Sequence, residues 1–148
     1  VFTMAGTMGA AIPMGLGVAL CAPDKSVIVV SGDGEILMNL GALATVATMA
    51  PSNLSIICID NECHGETGGQ PSHTSKLTDL AKIALGAGIP SVISISNKAD
   101  LIKGKHLLDA SPGPTFVIVK VNSAAPAIFK RNLDPSECRV RFRRKFIK

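Results

Sequence analysis

Four short, continuous apolar runs recur along the sequence, and branched side chains dominate each of them. The runs cover residues 27–30, 54–59, 92–95 and 116–121. A strand with one face in water alternates apolar and polar residues, whereas a continuous run is typical of a strand covered on both faces of a parallel sheet. The four runs therefore predict a parallel sheet with helices packed on each side.

Helical segments are predicted between these runs. Residues 35–50 place five apolar side chains on one helical stripe, and 77–85 and 98–110 are predicted as two shorter helices. Strands and helices therefore alternate, and crossovers between parallel strands are almost always right-handed. The sequence predicts an α/β fold, a doubly wound parallel sheet flanked by helices.

Composition argues against several classes of protein. Aromatic residues make up 3% of the chain, with no Trp and no Tyr, so a nucleic-acid surface built on base stacking has little to be made from. The most apolar stretch, 8–22, is broken by Pro13, Gly15 and Gly17, which argues against a membrane span. No basic region precedes an apolar run at the start, so a secretory signal peptide is not predicted. The four cysteines form no CxxC pair and no zinc-like spacing, and we expect a reduced, cytoplasmic protein.

Positive charge is concentrated at the end of the sequence. The net charge is +4, and residues 129–148 hold eight Lys or Arg and two acids. We therefore divide the chain into a domain at 1–128 and a basic C-terminal tail at 129–148. We expect the tail to be a solvated or partner-docked extension, and binding to RNA or to an anionic membrane is the alternative.

A short acidic turn at 31–35 directly follows the first predicted strand and precedes a helix. Gly32 and Gly34 allow a tight turn, and the start of a helix presents unpaired N–H groups to an anion such as a phosphate. Asp33 would repel a phosphate unless a divalent cation lay between them. The turn therefore predicts a diphosphate bridged by a metal, and an ordinary surface turn is the alternative.

A second polar segment, 60–65, follows the next strand. The carboxyl ends of neighbouring parallel strands meet at one edge of a sheet, so Asp33 and Asn61 are expected to lie close together. A carboxylate, an amide oxygen and the backbone carbonyl of Cys63 are hard oxygen ligands suited to Mg²⁺. A dinucleotide fingerprint fits less well, because 15–20 lacks the third glycine and follows no strand.

These segments resemble a known family. The GDG of 32–34 followed by Asn61 resembles the thiamine-diphosphate motif, although Asp60 replaces the first Asn of its usual ending. Residues 4–9 look like the opening of the diphosphate-binding domain in thiamine-diphosphate decarboxylases and acetolactate synthases. Three further stretches strongly resemble sulfopyruvate decarboxylases, in their β subunit, and phosphonopyruvate decarboxylases. These stretches are 32–41, 51–54 and 66–71.

The resemblance implies the thiamine-diphosphate-binding fold, with thiamine diphosphate and Mg²⁺ as cofactors and decarboxylation of a 2-oxoacid as the activity. By analogy, the backbone of Gly6 meets the aminopyrimidine and Met8 supports the bent cofactor. The implied cofactor-binding residues are Gly6, Thr7, Met8, Gly32, Gly34, Glu35 and Gly65. The implied metal ligands are Asp33, Asn61 and Cys63, and the candidate catalytic residues are His64, Gln70 and His73. For the two histidines, exposed loop positions without a role are the alternative, and Gln70 is expected to face the substrate.

The same resemblance implies a missing half. In these enzymes a separate pyrimidine-binding domain supplies an activating glutamate, and 148 residues leave no room for it. We expect a dimer or hetero-oligomer in which another chain, or residues outside this sequence, completes the site, so that this chain is inactive alone. Val1 stands directly before the first motif, and we expect an upstream strand and helix.

A small anionic 2-oxoacid is the expected substrate, and His64, His73, Lys76 and the glycine-rich loop are the donors available to it. An acetolactate-synthase-like carboligase component and a non-catalytic cofactor-binding module are the alternatives.

Overall fold

A computed structural model describes residues 1–4, 6–110, 112–124, 132 and 134–146. In chain order the elements are α1 (Ala11–Cys21), β1 (Val27–Gly32), α2 (Asp33–Leu37), α3 (Gly41–Met49), β2 (Leu54–Asp60), β3 (Cys63–His64), β4 (Gln70–Pro71), α4 (Leu80–Gly86), β5 (Ser91–Ile95), α5 (Lys98–Ala110), β6 (Thr115–Lys120) and α6 (Pro135–Phe146), with 3₁₀ turns at Gly65–Thr67 and His73–Ser75. All four predicted strands are confirmed. They form one parallel sheet in the order β1-β2-β6-β5.

The register of the strands sorts their side chains onto two faces. On the first face Leu54, Ile56 and Cys58 of β2 lie in one buried core with residues of α1, α3 and α4. Helix α5 covers β5 and β6 on the second face, where a Cβ at Gly104 would come within 2.3 Å of Ile95. Helices therefore pack on both faces, and the predicted doubly wound sheet is confirmed.

The second face is open over β1. Within the described residues β1 pairs only with β2, so its other edge is the edge of the sheet. Ile28 is 59% exposed and Val30 is 62% exposed. Val29, which points to the opposite face, is buried in the core. The continuous apolar run of β1 is therefore covered on one side only.

The single helix predicted over 35–50 is wrong, because two helices occupy this segment. Helix α2 ends at Leu37 and α3 begins at Gly41. Between them, Asn39 donates a side-chain hydrogen bond of 2.8 Å to the carbonyl oxygen of Gly9. This turn ties the chain before α1 to the region that follows β1.

The helix predicted over 77–85 begins three residues later than expected. Asp79 caps it, since one carboxylate oxygen accepts hydrogen bonds from the backbone N–H groups of Ala81 and Lys82 at 3.0 and 3.1 Å. Leu77 lies before the helix and is 98% exposed. A side-chain cap thus overrides the apolar spacing that suggested the earlier start.

Asn53 joins three elements at the opposite end of the sheet from the acidic turn. Its side-chain amide donates to the carbonyl oxygens of Ala19, Ala22 and Lys25 at 3.1, 3.0 and 2.8 Å. These carbonyls belong to the end of α1 and the approach to β1. The 51–54 stretch singled out by resemblance therefore has a structural task.

The described part of the basic tail forms helix α6, which packs against the start of the chain. Cys138 is buried, and its sulfur lies 3.0 Å from the hydroxyl of Thr3. The rings of Phe142 and Phe2 meet edge to face at 5.7 Å. The basic side chains of α6 are exposed, and these are Arg139, Arg141, Arg143, Arg144 and Lys145. The boundary placed at 128/129 lies outside the described residues.

Among the helices that the structure describes, none is long and apolar enough to cross a membrane.

Candidate active site

Two buried carboxylates lie where β1 and β2 end. Asp33 is the first residue of α2 and is 1% exposed, while Asp60 is the last residue of β2 and is 2% exposed. Gly32 pairs in register with Ile59, so the two strand ends are adjacent. The sheet thus brings the acidic turn and the Asn61 segment together, as the sequence predicted.

The two oxygens of Asp33 have different surroundings. Oδ2 accepts a hydrogen bond from the hydroxyl of Ser72, and the hydroxyl oxygen of Thr74 lies 3.1 Å from the same carboxylate oxygen. No hydrogen bond from the described residues reaches Oδ1. One carboxylate oxygen is therefore held by the protein, and the other has its lone pairs available.

Asp60 is neutralised by a cation of the chain. The ammonium of Lys120 lies 2.8 Å from Oδ2 of Asp60 and 2.7 Å from a carboxylate oxygen of Glu62. Burial lowers the pKa of Lys120, but the hydrogen bonds to Asp60 and Glu62 outweigh it and raise that pKa overall. Thr74 completes the surroundings by donating to Oδ1 of Asp60 at 2.8 Å.

Asp33 has no such partner. Among the described residues, no Lys, Arg or His lies within ion-pair distance of its carboxylate. A buried carboxylate is costly unless a cation or several donors balance its charge. The residues therefore fit a divalent cation at Oδ1.

The donor set is one of oxygens. Within the described part of the chain, no group of three His, Cys, Asp or Glu side chains could hold a metal ion. The predicted set of Asp33, Asn61 and the Cys63 carbonyl has only one carboxylate, and hard oxygen donors of this kind suit Mg²⁺. Oδ1 of Asn61 accepts the backbone N–H of Cys63 at 3.2 Å. This bond ties the two other predicted ligands to one turn.

Cys58 lies in the core at the same end of β2. Burial, followed by the charges of Asp60 and Asp33, raises the pKa of the Cys58 thiol far above its ordinary value. The thiol is therefore neutral and is neither a nucleophile nor a soft metal ligand.

A small hairpin organises the long polar loop. Strands β3 and β4 are antiparallel and set His64 opposite Gln70. The side-chain amide of Gln70 bonds to the carbonyl oxygen of Thr67 at 2.9 Å, so this side chain faces its own loop. His73 is exposed in the following 3₁₀ turn. The hairpin thus brings together two of the three candidate catalytic residues.

The imidazole of His64 lies against Gly34. A Cβ built on Gly34 would stand 2.5 Å from Nδ1 and 2.8 Å from Cε1 of that ring. No side chain larger than hydrogen fits at position 34 unless His64 moves. This contact joins the start of α2 to the hairpin. It explains why position 34 requires glycine, a requirement that the sequence alone did not indicate.

The 6–9 segment is fastened beside α2. Gly6 has a φ of +76°, a backbone conformation that favours glycine, and Thr7 and Met8 are exposed.

The carboxylate of Glu35 accepts a hydrogen bond from the backbone N–H of Ala11 at 3.0 Å and a second from the hydroxyl of Ser31. Glu35 therefore caps α1, and its role in cofactor binding stays a prediction. Gly65 is exposed at the start of a 3₁₀ turn.

Comparison with known proteins identifies the family of this chain. Residues 1–119 match the family described as "Thiamine pyrophosphate enzyme, C-terminal TPP binding domain". The chain belongs to this family.

Two curated relatives of this thiamine pyrophosphate enzyme domain are decarboxylases by name. Sulfopyruvate decarboxylase subunit beta of Methanocaldococcus jannaschii is 50% identical over 95 residues, which are 64% of this chain and 50% of that protein. Phosphonopyruvate decarboxylase of Streptomyces viridochromogenes is 39% identical over 143 residues, which are 96% of this chain and 36% of that protein. The chain spans half or less of the length of these two relatives.

A solved structure supports the fold. Transketolase from Campylobacter jejuni matches 78% of this chain and 20% of its own, with a TM-score of 0.65 and 18% identity. At this identity the likeness concerns the fold alone. The prediction of a thiamine-diphosphate-binding fold is confirmed.

Several residues of the thiamine pyrophosphate enzyme domain were missed by sequence reasoning. Ser72, Thr74 and Lys120 contact the two buried carboxylates, but their hydrogen bonds join segments distant in sequence. A cavity of about 360 Å³ lies beside them, lined in part by Asp60, Lys76 and Lys120. The weak signal that could have marked Ser72 is its place directly after the 66–71 stretch.

Proposed function

We propose that this chain is the diphosphate- and Mg²⁺-binding half of a thiamine-diphosphate-dependent 2-oxoacid decarboxylase of the sulfopyruvate or phosphonopyruvate type. The observation that carries the proposal is the buried carboxylate of Asp33, which has no counter-ion among the described residues. It lies in the 32–34 turn that resembles the thiamine-diphosphate motif. Names of the relatives and the hard oxygen donors at the site support it.

In this proposal, Asp33, Asn61 and the Cys63 carbonyl hold Mg²⁺, which in turn binds the diphosphate. The backbone of 32–34 faces the diphosphate, and the 6–9 segment supports the organic part of the cofactor. Thiamine diphosphate, when bound, supplies the electron sink that lets a 2-oxoacid lose CO₂. The protein's task is to bind, to orient and to exclude water.

The proposed substrate is a small 2-oxoacid that carries a second anionic group. The hairpin sets His64 near the start of α2, and Lys76 lines the cavity that Asp60 and Lys120 also line. The backbone N–H groups of Gly65, Gly68 and Gly69 add donors, because a glycine-rich loop can surround an anion. Two negative charges need more than these groups, so further Arg or Lys residues are assigned to the partner.

A partner is part of the proposal. A pyrimidine-binding domain or subunit would supply the activating glutamate, and the name "subunit beta" of one relative supports a second chain. The complete enzyme is then a dimer or hetero-oligomer, and this chain alone does not turn over. All four cysteines are free, which supports a cytoplasmic location.

Removing the proposed metal ligand tests the site. We expect Asp33→Ala to abolish Mg²⁺-dependent binding of thiamine diphosphate, measured by calorimetry with the partner present. Asp24→Ala is the matched control, because Asp24 is an exposed carboxylate before β1 rather than after it. Equal affinity in the wild type and in Asp33→Ala would contradict the assignment.

The products separate the remaining activities. A decarboxylase releases CO₂ and an aldehyde, whereas an acetolactate-synthase-like carboligase gives an acetohydroxy acid. The decarboxylase is favoured because both relatives described above carry that name. Cofactor binding without turnover in the complete assembly would identify a non-catalytic binding module instead.

A further inference from the structure

The start of helix α1 has no capping side chain of its own. Its N-cap residue is Ala10, and its first turn holds no acidic residue. Ser, Thr, Asp or Asn usually stands at an N-cap, because its side-chain oxygen accepts one of the unpaired backbone N–H groups there. In this chain the carboxylate of Glu35 takes that place and accepts the N–H of Ala11 at 3.0 Å. The cap of α1 therefore comes from α2, 24 residues away in sequence.

The carboxylate of Glu35 is itself held in place. One oxygen bonds to Ala11, and the other accepts a hydrogen bond from the hydroxyl of Ser31 near the end of β1. Ser31 is buried, and Glu35 is half-buried in the first turn of α2. Glu35 therefore links the strand that leads into the acidic turn to the helix that follows the 6–9 segment.

A second side chain contacts the same stretch of backbone. Asn39, between α2 and α3, donates from its side-chain amide to the carbonyl oxygen of Gly9 at 2.8 Å. Gly9 has a φ of +83°, and a Cβ built there would come within 3.3 Å of the Cβ of Asn39. Within the part of the chain that the structure describes, no other hydrogen bond joins residues 6–11 to residues 27–49. We call Glu35 and Asn39 the clamp residues.

The clamp residues connect the two parts of the proposed cofactor site. Both bond to the backbone of 9–11, which directly follows Met8. Both also follow closely on the 32–34 turn, which the proposed function places at the diphosphate. Their hydrogen bonds therefore fix the 6–9 segment relative to Asp33.

We propose that Glu35 and Asn39 are positioning residues that fix Met8 relative to the metal-binding turn and thereby control turnover more than the affinity for thiamine diphosphate. They act through the backbone of 9–11. The inference rests on the proposed function, because it requires the 6–9 segment to support the organic part of the cofactor. In that proposal Mg²⁺ and the diphosphate supply most of the affinity. Turnover depends on geometry, and a misplacement of about 1 Å can cost roughly 100-fold in rate.

The test combines three measurements on the 148-residue chain. Hydrogen exchange of the free chain follows the backbone N–H of Ala11, and it should become at least ~10-fold faster in Glu35→Ala because the acceptor is lost. Calorimetry with thiamine diphosphate and turnover of sulfopyruvate and phosphonopyruvate are measured with the partner present. We expect Glu35→Ala and Asn39→Ala each to lower kcat at least ~10-fold and to change the Kd for thiamine diphosphate less than ~3-fold.

Two further variants separate the clamp from a loss of charge and from general destabilisation. Glu35→Gln keeps an oxygen that can accept the N–H of Ala11, so it should retain the wild-type kcat and exchange rate. Asn97→Ala is the matched control, because the exposed Asn97 accepts the backbone N–H of Asp100 in α5, on the other face of the sheet from α1. Its kcat and Kd should equal those of the wild type. Asn39 is exposed, so Asn39→Ala tests the clamp even where Glu35→Ala folds poorly.

The outcomes are distinct. If both alanine variants keep the kcat of the wild type and of Asn97→Ala, the inference is overturned while the proposed function stands. A loss of affinity as large as the loss of kcat would also overturn it, because the clamp residues would then contact the cofactor. The same holds if Glu35→Gln is as slow as Glu35→Ala. If the wild type shows no Mg²⁺-dependent binding of thiamine diphosphate even with the partner, the proposed function fails and the inference fails with it.

Discussion

Gly34→Ala is expected to weaken cofactor binding more than it weakens the fold. The new methyl group would stand 2.5 Å from Nδ1 of His64, whereas ordinary contact begins at 3.4 Å. The imidazole must therefore retreat by about 0.9 Å. His64 is only half-buried, so the ring can move toward solvent.

The effect on stability is small because two terms oppose each other. Crowding costs about 1 kcal/mol here, the lower end of the roughly 1–3 kcal/mol typical of overpacked sites. Replacing Gly by Ala within a helix returns about 0.5–1 kcal/mol. The free energy of unfolding should thus change by less than about 1 kcal/mol.

The effect on binding is larger because His64 directly follows Cys63, whose carbonyl is a proposed ligand. Mg²⁺ tolerates little distortion of its ligands. We expect the affinity for thiamine diphosphate at fixed Mg²⁺ to fall at least ~10-fold, which corresponds to about 1.4 kcal/mol.

The assay pairs denaturant unfolding without metal with calorimetric titration of the cofactor. Gly34→Ala combined with His64→Ala removes the clashing ring and should recover most of the affinity, and His64→Ala alone is the control. If the double variant binds as weakly as Gly34→Ala, the methyl group meets the cofactor itself and the reasoning from His64 is refuted.

Three further predictions concern stability, each measured by denaturant unfolding. Lys120→Met leaves Asp60 without its counter-ion and should cost about 2 kcal/mol, below the roughly 3–5 kcal/mol for fully buried pairs because Lys120 is 37% exposed; an unchanged value would contradict the pairing. Asn53→Asp turns a carboxylate oxygen toward three carbonyl oxygens and should cost about 2–3 kcal/mol. Asn122→Asp is the control, because Asn122 is exposed and its Oδ1 only accepts a backbone hydrogen bond, which a carboxylate can also accept. The hydrogen bond donated by the backbone N–H of Lys82 lowers the pKa of Asp79 below 3.8. The free energy of unfolding of the wild type should therefore exceed that of Asp79→Asn by its full amount above pH 3.8, and the difference should fade as the pH falls below that value. A difference that stays constant with pH would count against the cap.

The sheet could be predicted because its strands are marked by their own sequence. Each buried strand is a continuous apolar run, and adjacent strand ends place Asp33 near Asn61 without further information. The break between α2 and α3 could not be predicted. It depends on Asn39 reaching Gly9, 30 residues away in sequence.

The surroundings of the carboxylates were hidden for the same reason. Ser72 and Thr74 meet Asp33 across 39 and 41 residues, and an isolated Ser or Thr in a polar loop gives no sign of such a contact. Glu35 differs from Ser72 and Thr74, because it lies inside a family motif that suggested a role in cofactor binding. In the structure its carboxylate accepts a hydrogen bond from the backbone N–H of Ala11 at the start of a helix. Motif membership alone therefore does not separate a ligand from a cap.

In the part of the chain that the structure describes, one edge of β1 is unpaired, and this has a practical consequence for preparing the protein. Unpaired backbone groups along an edge strand can form hydrogen bonds with a second copy of the chain. The exposed apolar side chains of Ile28 and Val30 would stabilise such a contact. Concentrated stocks would then lose material to aggregates. Val30→Lys would place a charge on that edge while Val29 keeps its place in the core, giving calorimetry samples that stay dispersed.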